Sequence, residues 1–143
     1  ILPMGKGIAV LQAHEEAINA GNSICIITYG MGVYWAKNAA ARFEGCVEVI
    51  DIRTLYPLDE VLIMETVKRH GKCLVLTEEQ LRNSFAEALA CRIAQQCFYQ
   101  LDAPVKTLGA LDLPAVPMNV LLEQAMLPTV EKVSKAIEDL LND

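Results

Sequence analysis

Apolar runs and helical periodicities alternate along most of this chain. Three short runs are almost wholly apolar and contain several β-branched residues, which is typical of strands covered on both faces. They lie at residues 23–29, 47–50 and 72–77. Weaker strand signals lie at residues 7–11 and 105–108. The apolar pattern therefore predicts up to five strands.

Helical signals fill the intervals between these runs. Apolar residues recur every three or four positions after Gly32, and Pro57 and Gly71 bracket a second helical pattern at 59–70. Ser84-x-x-Glu87 has the form of a capping box that starts a third helix. A shorter helical turn is predicted at 14–20, a last helix after residues 128–129, and an extended crossing segment around the prolines at 114 and 117.

This alternation predicts the fold class. Strands that alternate with helices of this length form a mostly parallel sheet with helices on both faces. We therefore predict an α/β protein with a single domain over residues 1–143. The chain begins at an isoleucine without a signal peptide, so we interpret it as a piece of a longer enzyme chain.

Composition and charge narrow the possible functions. With 53% hydrophobic residues the chain is expected to fold, yet no window approaches the about 18 consecutive apolar residues of a membrane helix. The net charge of −6 argues against nucleic-acid binding, which needs a basic surface. It suits a basic protein partner.

The five cysteines have no C-x-x-C pair and lack the spacings of structural zinc sites. Free cysteines inside strand and helix patterns are expected to act as small core residues, which fits a cytoplasmic location. His70 ends a helical pattern, where a cation favours the helix dipole.

The segment 51–59 follows a strand, where ligand sites of α/β sheets gather. Gly30-x-Gly32 and Asp51 outline a dinucleotide-binding fingerprint, but Trp35 replaces its third glycine. Alternatively, the two glycines only permit a tight strand-to-helix turn, or the free amides of the helix start bind an anion or a neighbouring domain.

The carboxylates near the predicted strand ends form no catalytic set. Asp59 and Glu87 are explained by helix capping. Glu78 and Glu79 could be functional, although a solvated loop is the simpler interpretation. No histidine is near these residues in sequence.

Several separated motifs together resemble the C-terminal domain of transketolase-type enzymes. More narrowly, they resemble the beta-type part of the thiamine diphosphate-dependent decarboxylating component of 2-oxoacid dehydrogenase complexes. The motifs are YGMGV at 29–33, VEVIDIRTLYPLD at 47–59, KCLVLTEE at 72–79, FAE at 85–87, LDAPV at 101–105, LE at 122–123 and LP at 127–128.

The resemblance implies a three-layer α/β/α sandwich whose five-stranded sheet has four parallel strands and one antiparallel strand. In this family, thiamine diphosphate and Mg²⁺ are held by a Gly-Asp-Gly motif on another domain, and this chain has no such motif. We therefore expect no catalytic, cofactor-binding or metal-binding residue in this chain, and no activity from it alone.

The resemblance also implies partners. The C-terminal domain helps to hold the enzyme dimer together and docks the basic subunit-binding domain of the lipoyl acyltransferase. Carried over, the docking groups are Asp102 and the terminal carboxylate of the chain, at Asp143. Gly30, Gly32 and Arg53 are expected to face another domain or chain of the enzyme.

Three departures separate the chain from its relatives' pattern. The residues before Phe85 replace a glycine-rich stretch, Tyr34 stands where many relatives have histidine, and the segment 12–22 is longer than usual. Two alternatives remain open. One is the C-terminal domain of a transketolase or related ketol-transferring synthase, and the other is a free-standing nucleotide-binding module.

Overall fold

The computed structural model describes residues 3–143, so residues 1 and 2 of the predicted domain lie outside the described part. Strands and helices follow one another in the predicted alternation. They are β1 (Ile8–Leu11), α1 (Glu15–Asn19), β2 (Ile24–Thr28), α2 (Met31–Ala40), β3 (Val47–Asp51), α3 (Glu60–His70), β4 (Cys73–Gln80), α4 (Phe85–Gln96), β5 (Lys106–Ala110), α5 (Val120–Met126) and α6 (Val130–Asn142). A short 3-10 turn at Phe98–Gln100 connects α4 to the segment before β5.

The five strands form one sheet in the order β1-β3-β2-β4-β5. Strands β2 to β5 are parallel to their neighbours, whereas β1 pairs with β3 in the antiparallel sense. This confirms the predicted sheet with one antiparallel strand.

Helices cover both faces of the sheet. Alternate residues of β2 point to opposite sides, so that Cys25 and Ile27 pack with α3 and α4 while Ile24 and Ile26 pack with α2 and α6. All four side chains are inaccessible to solvent, which explains why β2 is apolar throughout. The chain is therefore an α/β protein with the predicted three-layer sandwich.

Helix ends show both the success and the limit of the capping signals. The Ser84 hydroxyl accepts a hydrogen bond from the backbone N–H of Glu87 at 3.1 Å, as predicted. The Glu87 carboxylate, however, accepts from Asn83 N–H at 2.8 Å rather than from Ser84 N–H. The Ser84 N–H already donates to the carbonyl of Leu81, so only half of the capping box forms.

Two strands differ from the predicted bounds. β4 continues to Gln80, beyond the predicted end at residue 77, and β5 is shifted to Lys106–Ala110 from the predicted 105–108. Gln80 pairs with Ala110 after an irregularity in the register, which extends both strands together. Glu78 and Glu79 therefore lie in a strand instead of the expected loop.

The prediction of an extended segment around the two prolines missed α5. Only Met126 of this helix is buried, so its sequence carries no apolar stripe that would have indicated a helix.

The expectation that the cysteines are core residues is also wrong in part. Cys91 is exposed and Cys46 is half-buried, whereas Cys25, Cys73 and Cys97 are buried.

Candidate functional site

The parallel strands give the sheet two chemically different edges. Gly30, Gly32 and Arg53 follow the ends of β2 and β3 and lie at the carboxyl edge. Asp102 precedes β5 and lies at the amino edge, where α6 also ends at Asp143. The predicted interface residues and the predicted docking residues therefore lie at opposite edges.

The turn into α2 needs both of its glycines. Gly30 has φ = +58°, a conformation that side chains disfavour. A Cβ on Gly32 would lie 2.0 Å from the Thr28 hydroxyl oxygen, so a side chain there cannot fit unless Thr28 moves. These two positions are explained by local packing, whether or not another domain covers them.

Arg53 also has a left-handed backbone, with φ = +59°, and its side chain is exposed. Its N–H donates to the Asp51 carboxylate at 3.0 Å, which closes a local turn. One oxygen of the Asp51 carboxylate is therefore used within the turn that follows β3.

Tyr29 connects the ends of β2 and β4 at this edge. Its hydroxyl lies 2.9 Å from the Thr77 hydroxyl and donates to the Glu79 carboxylate at 3.3 Å, and its ring packs edge-on against Phe85. Burial, together with the charge of Glu79, raises the pKa of Tyr29, although the hydrogen bond with Thr77 opposes the shift. The phenol therefore stays neutral and acts as a fixed donor.

At the amino edge, Asp102 is exposed but its backbone is fixed. Its N–H donates to the carbonyl of Gly71 at 2.8 Å. The carboxylate lies directly over Gly71, because a Cβ there would be 2.2 Å from an oxygen of Asp102. Gly71 has φ = +71° and ends α3, so one glycine serves both the helix end and the approach of Asp102.

An apolar groove of about 630 Å³ opens beside Asp102. It runs between the last turns of α4 and the segment before β5, and Phe98, Leu101 and Pro104 contribute to its walls. Phe98 is 68% exposed and packs edge-on against Tyr99. A single carboxylate thus stands at the rim of an exposed apolar surface.

Two lysines connect α6 to the same edge. Lys106 donates to the Asp143 side-chain carboxylate at 2.8 Å, and Lys72, which follows Gly71, donates to the carbonyl of Leu141 at 3.4 Å. The structure therefore brings the two predicted docking residues to one edge of the sheet, where Lys106 holds the side chain of Asp143.

A buried polar relay lies near this edge, and sequence reasoning missed it. His70 lies 2.8 Å from the Ser23 hydroxyl through Nδ1 and 3.1 Å from the Glu48 carboxylate through Nε2. Arg69 pairs with the other oxygen of Glu48. Because an ionised carboxylate can only accept, Nε2 of His70 donates to Glu48, whereas the direction of the hydrogen bond between Nδ1 and the Ser23 hydroxyl depends on the tautomer of the ring.

Charge is balanced within this relay. Burial raises the pKa of Glu48, but the hydrogen bond from His70 and the charges of Arg69 and His70 outweigh it, so that the pKa lies below its ordinary value. Ser23 is inaccessible to solvent and cannot meet a substrate in this conformation. The relay therefore stabilises the start of β2 and β3 against the end of α3.

Neither a metal centre nor a membrane span is visible in the described part of the chain. Residues 3–143 contain no group of three or more His, Cys, Asp or Glu side chains placed to hold a metal ion. No helix among them is long and apolar enough to cross a membrane.

Comparison with known proteins identifies the family. The family model for the transketolase C-terminal domain matches residues 14–133. The chain belongs to the transketolase C-terminal domain family. This confirms the resemblance on which the docking and interface residues were predicted.

Three curated relatives of this transketolase C-terminal domain are, by name, beta subunits. It is 35% identical over 143 residues to the 2-oxoisovalerate dehydrogenase subunit beta of Bacillus subtilis, covering 98% of this chain and 41% of the relative. It is 33% identical over 141 residues to the pyruvate dehydrogenase E1 component subunit beta of Rhizobium meliloti, covering 96% of this chain and 29% of the relative. It is also 33% identical to the acetoin:2,6-dichlorophenolindophenol oxidoreductase subunit beta of Bacillus subtilis, over 99% of this chain and 40% of the relative.

A solved structure supports the fold. The inactive beta4 tetramer of a split gene transketolase has a TM-score of 0.75 and 19% identity, covering 99% of this chain and 44% of that one. The chain therefore spans less than half the length of each of these proteins.

Proposed function

We propose that this chain is the C-terminal assembly and docking domain of a thiamine diphosphate-dependent 2-oxoacid dehydrogenase. The parent enzyme would oxidatively decarboxylate pyruvate or a branched-chain 2-oxoacid in the cytoplasm and transfer the acyl group to lipoyl-lysine. The names of the relatives support this class of substrate. The observation that carries the docking role is the exposed Asp102 carboxylate at the rim of an apolar groove.

The chemistry of the cofactor belongs to other domains in this proposal. In the family that the chain resembles, a Gly-Asp-Gly motif holds the diphosphate and Mg²⁺, and this sequence has no such motif. We therefore assign this chain no catalytic step.

Charge favours a basic partner at the amino edge. The chain carries a net charge of −6, which speeds the encounter with a positively charged domain. Asp102 adds a local contact, because its carboxylate is exposed and takes part in none of the ion pairs within residues 3–143. The acyltransferase's basic subunit-binding domain would supply the opposing lysine or arginine.

The groove supplies an apolar contact beside that charge. Its volume of about 630 Å³ and the exposed ring of Phe98 suit the apolar face of a short amphipathic helix. The hydrogen bond from Asp102 N–H to the carbonyl of Gly71 fixes the backbone of Asp102 before binding, which lowers the entropy cost of docking.

The carboxyl edge is assigned to assembly with other domains or chains of the same enzyme. The exposed Arg53 follows β3 at this edge, and Gly30 and Gly32 shape the adjoining turn. We propose that this edge faces the domains that hold the cofactor, in an enzyme that is a homo-oligomer with respect to this chain.

Calorimetric titration with the subunit-binding domain of a lipoyl acyltransferase from the same organism tests the docking role. Asp102→Asn should raise Kd at least about tenfold, which corresponds to about 1.4 kcal/mol. Asp112→Asn is the matched control, because Asp112 is also partly exposed and lies beyond the carboxyl end of β5. Both variants remove one negative charge, so a difference between them measures local contact rather than net charge.

Equal effects of the two variants would show that only the overall charge matters, and the docking site would then be wrong. If the wild-type chain does not bind the subunit-binding domain at all, the alternative parent, a transketolase or a related synthase, becomes the better assignment.

A further inference from the structure

A polar cavity lies at the amino edge of the sheet, beside the buried relay. It has a volume of about 400 Å³ and opens between the segment 12–19, the start of β3 and the end of α3. Its position is separate from the apolar groove beside Asp102 and from the carboxyl edge. The residues that line it are Gln12, Ala13, Glu15, Ile18, Asn19, Glu48 and Arg69.

The segment 12–19 forms most of the wall and is held in place by backbone hydrogen bonds. His14 N–H donates to the carbonyl of Gly45 at 2.8 Å, and Asn22 N–H donates to the carbonyl of Ala17 at 2.9 Å. The His14 ring also covers Gly45, where a Cβ would lie 2.3 Å from its Nδ1. The cavity is therefore formed before any ligand arrives, which lowers the entropy cost of binding.

Both signs of charge line this cavity. The Glu15 carboxylate is exposed and takes part in none of the ion pairs within residues 3–143, so it can accept hydrogen bonds from a ligand. Arg69 is half exposed, and its Nη2 pairs with Glu48. A guanidinium has several N–H donors, so Arg69 keeps donors for a ligand carboxylate.

This mixture of charges disfavours ligands of a single sign. A phosphate or a nucleotide would bring its negative charge beside Glu15 and Glu48, with one lining cation, Arg69, to balance it. A simple cation would meet the guanidinium of Arg69, which stays charged at all ordinary pH values. A ligand with one positive and one negative group close together satisfies both walls. A free α-amino acid has this charge pattern.

The size of the cavity and its apolar wall limit the ligand further. A volume of about 400 Å³ lies near the lower end of the about 300–1,000 Å³ of small-molecule sites. Ala13 and Ile18 are half-buried and form an apolar patch in the lining. The side-chain amides of Gln12 and Asn19 are exposed and can donate to a carboxylate or accept from an ammonium group. The cavity therefore suits a small ligand with a short aliphatic side chain.

From these observations we propose that the cavity binds a free aliphatic α-amino acid. Arg69 donates to its carboxylate, Glu15 accepts from its ammonium group, and Ile18 packs against its side chain. Because Arg69 also pairs with Glu48, the ligand carboxylate shares the guanidinium with the buried relay. This binding site goes beyond the proposed docking and assembly role and does not depend on it, because Asp102 does not line the cavity.

Ligand-observed saturation-transfer NMR of the full chain tests the proposal, with leucine as the probe between about 0.1 and 50 mM. Leucine should bind with a Kd on the order of 1 mM. 4-Methylpentanoate lacks the ammonium group and 3-methylbutylamine lacks the carboxylate, so each should bind at least about tenfold more weakly. Alanine should also bind about tenfold more weakly, because its side chain is too short to cover Ile18.

Glu15→Gln locates the site on the chain. It should weaken leucine binding at least about tenfold, because the ammonium group loses its charged partner. Binding of 4-methylpentanoate, which has no ammonium group, should change less than about twofold. Glu16→Gln is the matched control, since Glu16 is exposed in the same helical turn and does not line the cavity.

Arg69→Lys tests the other half of the site. Lysine keeps the charge but loses the planar fork, so leucine and 4-methylpentanoate should both bind at least about fivefold more weakly. Circular dichroism checks that this variant is folded, because Arg69 also belongs to the relay.

A wild type that binds no leucine at about 50 mM would overturn the proposal. Equal affinities for leucine and 3-methylbutylamine would also overturn it, because the cavity would then bind cations in general. Equal effects of Glu15→Gln and Glu16→Gln would place the amino acid elsewhere. Titration with the acyltransferase subunit-binding domain separates this site from the docking site, because these two variants should dock with the same affinity as each other.

Discussion

Replacement of Glu48 by glutamine tests the buried relay at the start of β3. Glu48 is 4% exposed, and its two oxygens accept from His70 and Arg69. Glutamine keeps the shape but removes the charge and replaces one acceptor oxygen with an NH2 group. One of the two hydrogen bonds and the charge attraction to Arg69 are therefore lost, and each loss costs about 1 kcal/mol. The Arg69 side chain is half exposed and keeps part of its hydration, so its ion pair contributes less to the free energy of unfolding.

The free energy of unfolding should therefore fall by about 1–2 kcal/mol, which for a chain of this length lowers Tm by about 3–6 °C. Differential scanning calorimetry at pH 7 measures the shift. Glu131→Gln is the control, because its ion pair with Arg42 at 4.0 Å is exposed on both sides. Glu131→Gln should lower the free energy of unfolding by less than about 0.5 kcal/mol.

The dependence on pH gives a second check. The pKa of Glu48 lies below its ordinary value in the folded chain, so the carboxylate stabilises the fold above about pH 4.5. This stabilisation is lost as the pH falls through the lower, folded pKa. The difference in the free energy of unfolding between the wild type and Glu48→Gln should thus be constant near neutrality and become smaller below pH 4.5. The role of the relay would be refuted if Glu48→Gln lowered the free energy of unfolding no more than Glu131→Gln does. It would also be refuted if the loss caused by Glu48→Gln did not become smaller in acid.

Two further predictions concern Gly71 and the cysteines. Gly71→Ala should destabilise the chain by about 1–2 kcal/mol through its left-handed backbone, and it should also weaken docking by displacing Asp102, as titration would show. Gly21→Ala has a similar φ of +69° with no atom within 4 Å of the added Cβ, so it should leave docking unchanged. Iodoacetamide followed by mass spectrometry should label the exposed Cys91 quickly and Cys25 only on unfolding, because burial raises the pKa of Cys25. Equal labelling rates at these two thiols would contradict the described burial.

The central strands β2 and β3 were the most predictable, because both are buried on both faces of the sheet. Residues 23–29 and 47–50 carry little but apolar side chains, and the structure places β2 and β3 there. α5 was not predictable in the same way, since Val120, Leu121 and Leu122 are consecutive and exposed instead of periodic and buried. Helical periodicity appears in a sequence only where one face of a helix meets a core.

The candidate sites were predictable only in part. Asp102 and Asp143 came from the family resemblance, and the structure places both at the amino edge. The relay of Ser23, Glu48 and His70 was missed because its members are separated by 22 and 47 residues and meet only through the parallel pairing of the sheet. One signal was present: a charged residue in an otherwise apolar strand is buried only when it is paired.

The docking assignment is tested most directly by hydrogen–deuterium exchange of the chain with and without the acyltransferase subunit-binding domain. Protection should appear at residues 98–105 and at the end of α6, where Asp102, the groove and Asp143 lie. The carboxyl edge around Arg53 should exchange as before. Protection at the carboxyl edge, with none around Asp102, would contradict docking at the amino edge.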